Sequence, residues 1–519
     1  MRGWTGRALA LLSGAAAGLA HPPFGVLPGL LGYALLLALI DAEGDRPVWS
    51  ALLRGWLGGV GYFAVAVWWI TEPFMVDARE QGWMAPFALV LMAAGLALFW
   101  AGAAGLYRWL RPRGAASVLL FAGCLAGFEW LRGHVLTGFP WDLPGETWRA
   151  GSAPSQAAAL VGAYGLTWIT VAVAAAPALL LRKAPSRDRL VALACAALAL
   201  AGLYGFGLHR LAGAARPLAG APVIRVVQAN IDQKDKWKPE NLSLVLQTYV
   251  DLTRRPAATA PAIVIWPEGA LPAVIDDLLA PGSPYAARLA AAIAPGQTLL
   301  MGANRAQAGA GGQTRYFNSL VAFRRDADAL RVTGVYDKHH LVPFGEYMPS
   351  GDLATKVGFR SLVHMPDDFS AGPPSRPLAL PGFAPVQVLI CYEALFPGVT
   401  RASARRAGRR PAWILNVSND AWFGAGSGPW QHLNIASYRA IEEGLPIVRA
   451  TPTGVSAVID AYGRILPGAR IGLGGFGVID AALPAALPPT PFSRGGDLAL
   501  AVMLLLSALA AVAYRVRRS

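Results

Sequence analysis

Val388-Leu389-Ile390-Cys391-Tyr392-Glu393 is an apolar run that ends on a thiol, with an acid two residues beyond it. A run of this length, rich in branched residues, reads as a strand buried on both faces. In α/β domains reactive side chains sit where such strands give way to loops. Two other stretches share the pattern. Ile263-Val264-Ile265-Trp266-Pro267-Glu268-Gly269 puts an acid straight after an apolar strand. Tyr336-Asp337-Lys338-His339-His340-Leu341-Val342-Pro343-Phe344-Gly345-Glu346-Tyr347 leads a lysine into a loop carrying a second acid eight residues on.

Around them, Val223–Gln228, Ala262–Trp266, Thr298–Ala303, Ser319–Phe323, Val386–Cys391, Trp413–Val417 and Val455–Asp460 predict strands, each bounded by Gly, Pro, Asn or Asp. Leu242–Leu252, Pro284–Ala294 and Gln431–Glu443 predict helices between them. The alternation indicates an α/β domain over 222–485 with a largely buried sheet.

The flanks are different. The whole chain is 55% apolar and only 15% charged, against about 25% charged for a soluble protein, so lipid is one of its solvents. Ala, Leu, Gly, Val and Trp dominate residues 1–211 and 497–514. A crossing takes about 20 apolar residues. Residues 8–40 lack Asp, Glu, Lys and Arg and are too long for one helix; His21-Pro22-Pro23 divides them into a hairpin of two short helices. Further spans are expected near 51–71, 84–106, 115–132, 156–181, 190–208 and 497–514, giving eight membrane helices, seven of them before the globular domain. A cleaved signal peptide behind Arg2 and Arg7 is the alternative for the first segment, but the apolar run resumes directly after Pro23.

Lys and Arg are retained on the cytoplasmic side of short loops. With the N-terminus inside, the inner loops carry Arg46 and Arg54, then Arg108, Arg111 and Arg113, then Arg182, Lys183, Arg187 and Arg189, and the tail carries Arg515, Arg517 and Arg518. The outer loops carry little beyond Arg79 and Arg149. This predicts an N-in, C-in protein with its globular domain on the far face, the periplasm of a Gram-negative inner membrane. Inner-loop arginine accounts for much of the net charge of +14, so nucleic acid is not an expected partner. The tract Arg401, Arg405, Arg406, Arg409 and Arg410 is either a solvated helix face or a contact for anionic lipid. Of the three cysteines, Cys124 and Cys195 fall in expected spans, leaving Cys391 alone in an oxidising compartment, as a nucleophile or as an inert packing residue.

Read singly, a strand-end Glu is a solvated acid, a lone Lys is surface and a strand-end Cys is core. Together they supply thiol acyl chemistry. A thiol of ordinary pKa, about 8.5, is mostly protonated at neutral pH and needs a base. The oxyanion formed on attack needs a fixed positive donor. Cys391, Glu268 and Lys338 make a complete set.

The order Glu, Lys, Cys in these contexts resembles the carbon-nitrogen hydrolase (nitrilase) superfamily. Within it, the arrangement of spans is similar to the bacterial apolipoprotein N-acyltransferase family. Glu129-Trp130-Leu131-Arg132 with Thr137-Gly138-Phe139-Pro140-Trp141 resembles that family's membrane-half signature. Gln228-Ala229-Asn230, Trp237, Asn419-Asp420-Ala421-Trp422-Phe423-Gly424, Gln431-His432 and Arg439-Ala440 match as well. Thr451-Pro452-Thr453-Gly454 departs, with Pro452 where the family pattern has Asn.

The resemblance implies an α-β-β-α sandwich in which Cys391 is the nucleophile, Glu268 the base and Lys338 the oxyanion partner. It also implies that Glu346 orients Lys338 or the base, that Tyr392 and Glu393 support the nucleophile, and that Trp237 and Trp422 line the substrate entrance. The implied reaction is ping-pong: an acyl group passes from a phospholipid, phosphatidylethanolamine by the resemblance, through a Cys391 thioester to the α-amine of a diacylated apolipoprotein. A monomer is implied. No metal or organic cofactor is expected, because the sequence contains neither a Cys/His ligand cluster nor a phosphate-binding Gly loop. Two other readings stay open: a tethered amidase or nitrilase that passes the acyl group to water, and a transporter with a regulatory domain. Against transport, Glu129 and Arg132 are one helical turn apart and suit a local pair better than an ion path.

Overall fold

The computed structural model describes residues 3–42, 47–110, 113–182, 184–213, 220–309, 312–326, 329–349 and 367–516. Of the charged residues weighed above, Arg2, Arg46, Arg111, Lys183, Arg517 and Arg518 lie outside the described residues. The chain divides into two compact units. One is Met1–Ala214 with Gly426–Glu443 and Pro489–Ser519; the other is Ala215–Ala425 with Gly444–Pro488.

In the helical unit, Trp4–Gly18 and Leu27–Asp41 form the expected pair of short helices on either side of His21-Pro22-Pro23. Glycine sets how closely they pack. A Cβ on Gly14 would overlap the backbone of Gly58, and one on Gly61 would overlap that of Leu11. The helices Trp4–Gly18 and Val48–Ala66 therefore meet backbone to backbone, the packing that small residues allow where no hydrophobic effect drives helices together.

Among the described residues four helices are long and apolar enough to cross a membrane: Ala78–Leu110, Ala115–Arg132, Pro154–Leu179 and Ser186–Leu211. A fifth follows if Val48–Ala66 and Trp68–Met75, bent by 48° where they meet, are one span. Leu27–Asp41 is apolar but shorter, and the C-terminal helix runs Leu498–Val516, 19 residues. At about 1.5 Å per residue, a helix of some fifteen residues reaches about 22 Å, short of about 30 Å of hydrocarbon. By length and composition the described residues thus give four or five spans, not the eight expected from the sequence.

Glu129 and Arg132 are both buried and pair with each other; Arg132 Nε donates to Glu129 Oε2 at 2.8 Å, and Trp100 Nε1 donates to Oε1 at 2.6 Å. Helix Gly428–Glu443, read from the sequence as part of the globular domain, packs within the helical unit. Its Arg439 lies between Glu146 (3.1 Å) and Glu442 (2.9 Å), all three buried. Tyr438 donates to the carbonyls of Trp148 (2.6 Å) and Gly145 (3.1 Å).

The other unit is built on two six-stranded sheets. The strands are β1 (Val223–Gln228), β2 (Ile263–Trp266), β3 (Thr298–Ala308), β4 (Thr314–Asp326), β5 (Ala329–Asp337), β6 (Leu378–Leu380), β7 (Phe383–Ile390), β8 (Trp413–Val417), β9 (Ile447–Ala450), β10 (Ser456–Ile459), β11 (Ile465–Ile471) and β12 (Gly477–Ala482). They run in the orders β12-β1-β2-β3-β4-β5 and β11-β10-β9-β8-β7-β6. In each sheet three central strands are parallel, β1-β2-β3 and β7-β8-β9.

Strand alternation assigns the layers. Ile263 and Ile265 of β2 pack in one core with Val386, Val388 and Ile390 of β7, so the sheets face each other. Val264 and Trp266 point the opposite way, into a second core with Leu246 and Val250 of helix Leu242–Thr253 and Leu289 of helix Pro284–Ala292. Gln387, on the outer side of β7, donates to Ser375 Oγ at 2.8 Å, and Ser375 reaches Ser403 of helix Val399–Ala407 at 3.5 Å. Both sheets thus carry helices on their outer faces. In the arginine tract, Arg406 donates to the Ser375 carbonyl and Arg410 to the Leu487 carbonyl, each at 2.8 Å.

Candidate active site

β2 and β7 each run parallel to neighbours in their own sheet, and each is followed at its C-terminal end by one candidate side chain. After β2, Pro267 ends the strand and Glu268 follows, 7% exposed. After β7 the chain turns at Cys391, whose φ is +47°. That conformation is costly for a residue with a Cβ and is found where a side chain is held for use. The sulfur is buried too, at 8% residue exposure.

Lys338 follows directly on β5, which pairs with β4 in the same sheet as β2. It is 1% exposed. Its Nζ lies 2.9 Å from both carboxylate oxygens of Glu346 and 3.7 Å from Glu268 Oε1. Asn318 of β4 joins the two acids, its Nδ2 donating to Glu268 Oε1 at 2.6 Å and to Glu346 Oε1 at 2.7 Å. The backbone N–H of Asn419, just beyond β8, donates to Glu268 Oε2 at 2.5 Å. The N–H of Val342 holds Glu346 Oε2 at 2.8 Å. Glu268 therefore has both oxygens satisfied, as a buried carboxylate requires.

Cys391 lies within electrostatic reach of both Glu268 and Lys338. Burial pushes its thiol up from the ordinary value, and the Glu268 carboxylate adds to this; Lys338 and a hydrogen bond from Ser418 oppose it. The thiol is therefore protonated at rest, and a base must act on it. Burial also raises Glu268, with Glu346 adding, while Lys338 and the two hydrogen bonds pull it down. For Lys338, burial favours the neutral amine, but the carboxylates of Glu346 and Glu268 outweigh it and drive the ammonium well above the usual lysine range. Lys338 stays charged, which suits it to meet an oxyanion and not to shuttle protons.

Glu393 ties the lysine segment to the cysteine segment. Its Oε1 accepts from Tyr336 Oη (2.8 Å), His339 N (2.9 Å) and His340 N (3.2 Å), and its Oε2 from Ile390 N (2.8 Å). Tyr336 lies two residues before Lys338, His339 and His340 follow it, and Ile390 directly precedes Cys391, so one buried carboxylate fixes the spacing of both. Tyr392 is buried and packs edge-on to Phe396, ring centroids 5.1 Å apart. Trp237 and Trp422 are partly exposed, Trp237 after the short helix Gln233–Lys236 and Trp422 in the turn Asp420–Phe423. The carbonyl of Pro452, the departure from the family pattern, accepts from Asn230 N at 2.8 Å.

The structure thus gathers Glu268, Lys338, Glu346, Cys391 and Glu393 in one place. Two contributors were not singled out from the sequence: Asn318 and Ser418. Asn318 had a readable signal, a lone amide within the apolar run Phe317 to Phe323. Cys124, Cys195 and Cys391 form no disulfide among the described residues, nor do those residues contain a group of His, Cys, Asp and Glu able to hold a metal ion.

Comparison with known proteins identifies the family. The carbon-nitrogen hydrolase family model matches residues 223–487, and the model of the apolipoprotein N-acyltransferase N-terminal domain matches 13–176. The apolipoprotein N-acyltransferase of Caulobacter vibrioides is 55% identical over 520 residues, 99% of this chain and 96% of the relative. Those of Bradyrhizobium diazoefficiens and Rhodopseudomonas palustris are 40% and 39% identical, over 99% and 97% of this chain and 96% and 94% of the relatives.

Proposed function

Because the chain belongs to the apolipoprotein N-acyltransferase family, and so is a membrane acyltransferase with a nitrilase-like domain, we propose that it N-acylates lipoproteins through a thioester on Cys391. The observation that carries this reading is the Lys338 ammonium, held against Glu346 and 3.7 Å from Glu268, within electrostatic reach of the one thiol that ends a central strand.

In the first half-reaction Glu268 takes the thiol proton as sulfur attacks the ester carbonyl of a phospholipid such as phosphatidylethanolamine. Lys338 faces the negative charge that develops on the carbonyl oxygen. The C–O bond breaks, Glu268 returns the proton to the departing lysophospholipid, and the acyl group remains as a thioester. In the second half-reaction the α-amine of an S-diacylglyceryl cysteine attacks. Glu268 takes a proton from that amine and delivers it to the leaving sulfur, which regenerates the thiol. Glu346 and Asn318 hold Lys338 and Glu268; Glu393 and Tyr392 fix the nucleophile's turn; Trp237 and Trp422 line the approach of the acyl chains.

The surroundings of the reaction belong to the same proposal. Eight spans with N-in, C-in topology set the catalytic domain, 222–485, in the periplasm of the inner membrane, and the enzyme acts as a monomer. Both substrates are lipid-anchored, so they meet the site by lateral diffusion. Lifting a chain into water costs about 0.8 kcal/mol per CH₂, a barrier that a tethered domain avoids.

The competing reading is hydrolysis, with water in place of the amine. Incubation with phospholipid and a synthetic diacylated lipopeptide distinguishes them. The expected product is the N-acyl lipopeptide with one lysophospholipid per amide; free fatty acid with an unmodified lipopeptide would contradict the transferase reading.

A further inference from the structure

Lys236 lies outside the triad, yet its placement is difficult to explain as packing. It ends the short helix Gln233–Lys236, which Asp232 caps through a 2.8 Å bond from Lys234 N. The residue is 2% exposed. Its Nζ donates to the carbonyl of Gly269, the residue after Glu268. Among the described residues no Asp or Glu stands within salt-bridge distance of it, and the other partner it meets is the face of Trp237, 5.8 Å from the ring centroid. A buried ammonium with one backbone acceptor is costly, and Met or Leu would fill the space more cheaply.

Glu268 is the carboxylate whose field Lys236 feels. The helix also reaches Glu268 from a second side, since Gln233 Oε1 accepts from Asn419 Nδ2 at 3.4 Å while the Asn419 N–H holds Glu268. The charged groups that act on Glu268 are Lys338 and Glu346; the Cys391 thiol and Lys236 each feel the Glu268 charge in turn. With both acids ionised, Lys338 alone leaves this group one negative charge in excess; Lys236 brings it to neutrality.

We propose that Lys236 is a positioning residue that anchors the Glu268–Gly269 turn and supplies the second positive charge keeping Glu268 an anion, ready to accept the thiol proton. The inference rests on the proposed role of Glu268 as base. Burial lowers the Lys236 ammonium to about 8, with Glu268 opposing that shift, so it remains largely charged at neutral pH.

The test is the pH profile of acyl-enzyme formation, followed by intact mass on full-length protein in phosphatidylethanolamine micelles. An opposite charge nearby lowers a carboxyl pKa by about one unit or more, so removing it moves the acidic limb upward. Lys236→Met is expected to shift that limb up by about one pH unit, a loss of about tenfold in rate on the limb. Lys236→Gln, which keeps a donor for the Gly269 carbonyl, should shift it equally, whereas Lys236→Arg should leave it in place. A rate lowered by the same factor at every pH in both neutral variants would assign Lys236 to structure and overturn the proposal, as would unchanged profiles. Glu268→Gln separates the two ideas: if it acylates normally, the base assignment itself fails; if it is inactive while the Lys236 variants keep the wild-type limb, only the present inference fails.

Discussion

Lys338→Met is expected to abolish acyl transfer and to weaken the fold at once. Loss of a preorganised partner for an oxyanion costs about 10²–10³-fold in rate. Here the same change also removes the charge that opposes the rise of Glu268, so the carboxyl moves further above its ordinary value, the anion needed as base is depleted and the loss exceeds that range. The structural cost comes from Glu346, left buried 2.9 Å from where its cation stood. Breaking a buried pair by removing one member costs about 3–5 kcal/mol. Thermal unfolding of the detergent-purified protein should therefore fall alongside activity. Lys338→Arg keeps the charge but brings a wider, planar group into the space between Glu268 and Glu346, and is expected to recover stability more than rate.

Glu268→Gln is expected to leave a folded protein with little or no acylation. Its side chain is held by two donors, Asn318 Nδ2 and the Asn419 N–H. A glutamine can accept only one of these and must turn its own N–H₂ toward the other, a local cost of about 1–3 kcal/mol for the unmatched donor. The chemical loss is larger. A buried thiol whose pKa is raised stays protonated near neutrality, and removing its general base costs about 10²–10⁴-fold. The sign of the wild-type pH dependence follows from the same site: because the Glu268 carboxyl is raised, the rate should climb with pH through a limb above the ordinary carboxyl value. In Glu268→Gln that limb should be gone, and any residual rate should rise only as the thiol itself ionises. Stopped reactions analysed for the acyl-enzyme between acidic and mildly alkaline pH measure both effects.

Where the pattern in the chain is local and apolar, the fold was readable from it. β1 and β8 have the bounds expected from their branched runs, and β2 and β7 end where Glu268 and Cys391 mark them. β5, β6, β9, β11 and β12 escaped reading. β11 contains Pro467 and Gly468, the composition of an edge strand; β6 and β9 are short; β5 mixes Arg331 and Thr333 into its valines. Polar residues carry less of the fold in their local pattern. The helix Gly428–Glu443 carries Gln431, His432, Asn434, Arg439, Glu442 and Glu443, which look like a solvated face, yet all are buried. Their partners are residues such as Glu146, nearly 300 positions away, and no local periodicity encodes that. Lys236 sits in the run Gln233-Lys234-Asp235-Lys236-Trp237-Lys238, where its neighbours Lys234, Asp235 and Lys238 are exposed and it alone of the charged residues is buried. The triad was legible because each member terminates a strand; the residues that steady it were not, because hydrogen bonds across sheets leave no periodic trace.

Every step of the account passes through a covalent bond between an acyl carbon and the sulfur of Cys391. Intact-mass spectrometry of the purified enzyme, incubated with phospholipid of defined chain length and no acceptor, observes that bond directly. The account predicts a mass increase of one acyl group that is absent in Cys391→Ala and disappears when diacylated lipopeptide is added. An unmodified mass in protein that nonetheless converts phospholipid and lipopeptide to product, or an adduct that persists in Cys391→Ala, would contradict it.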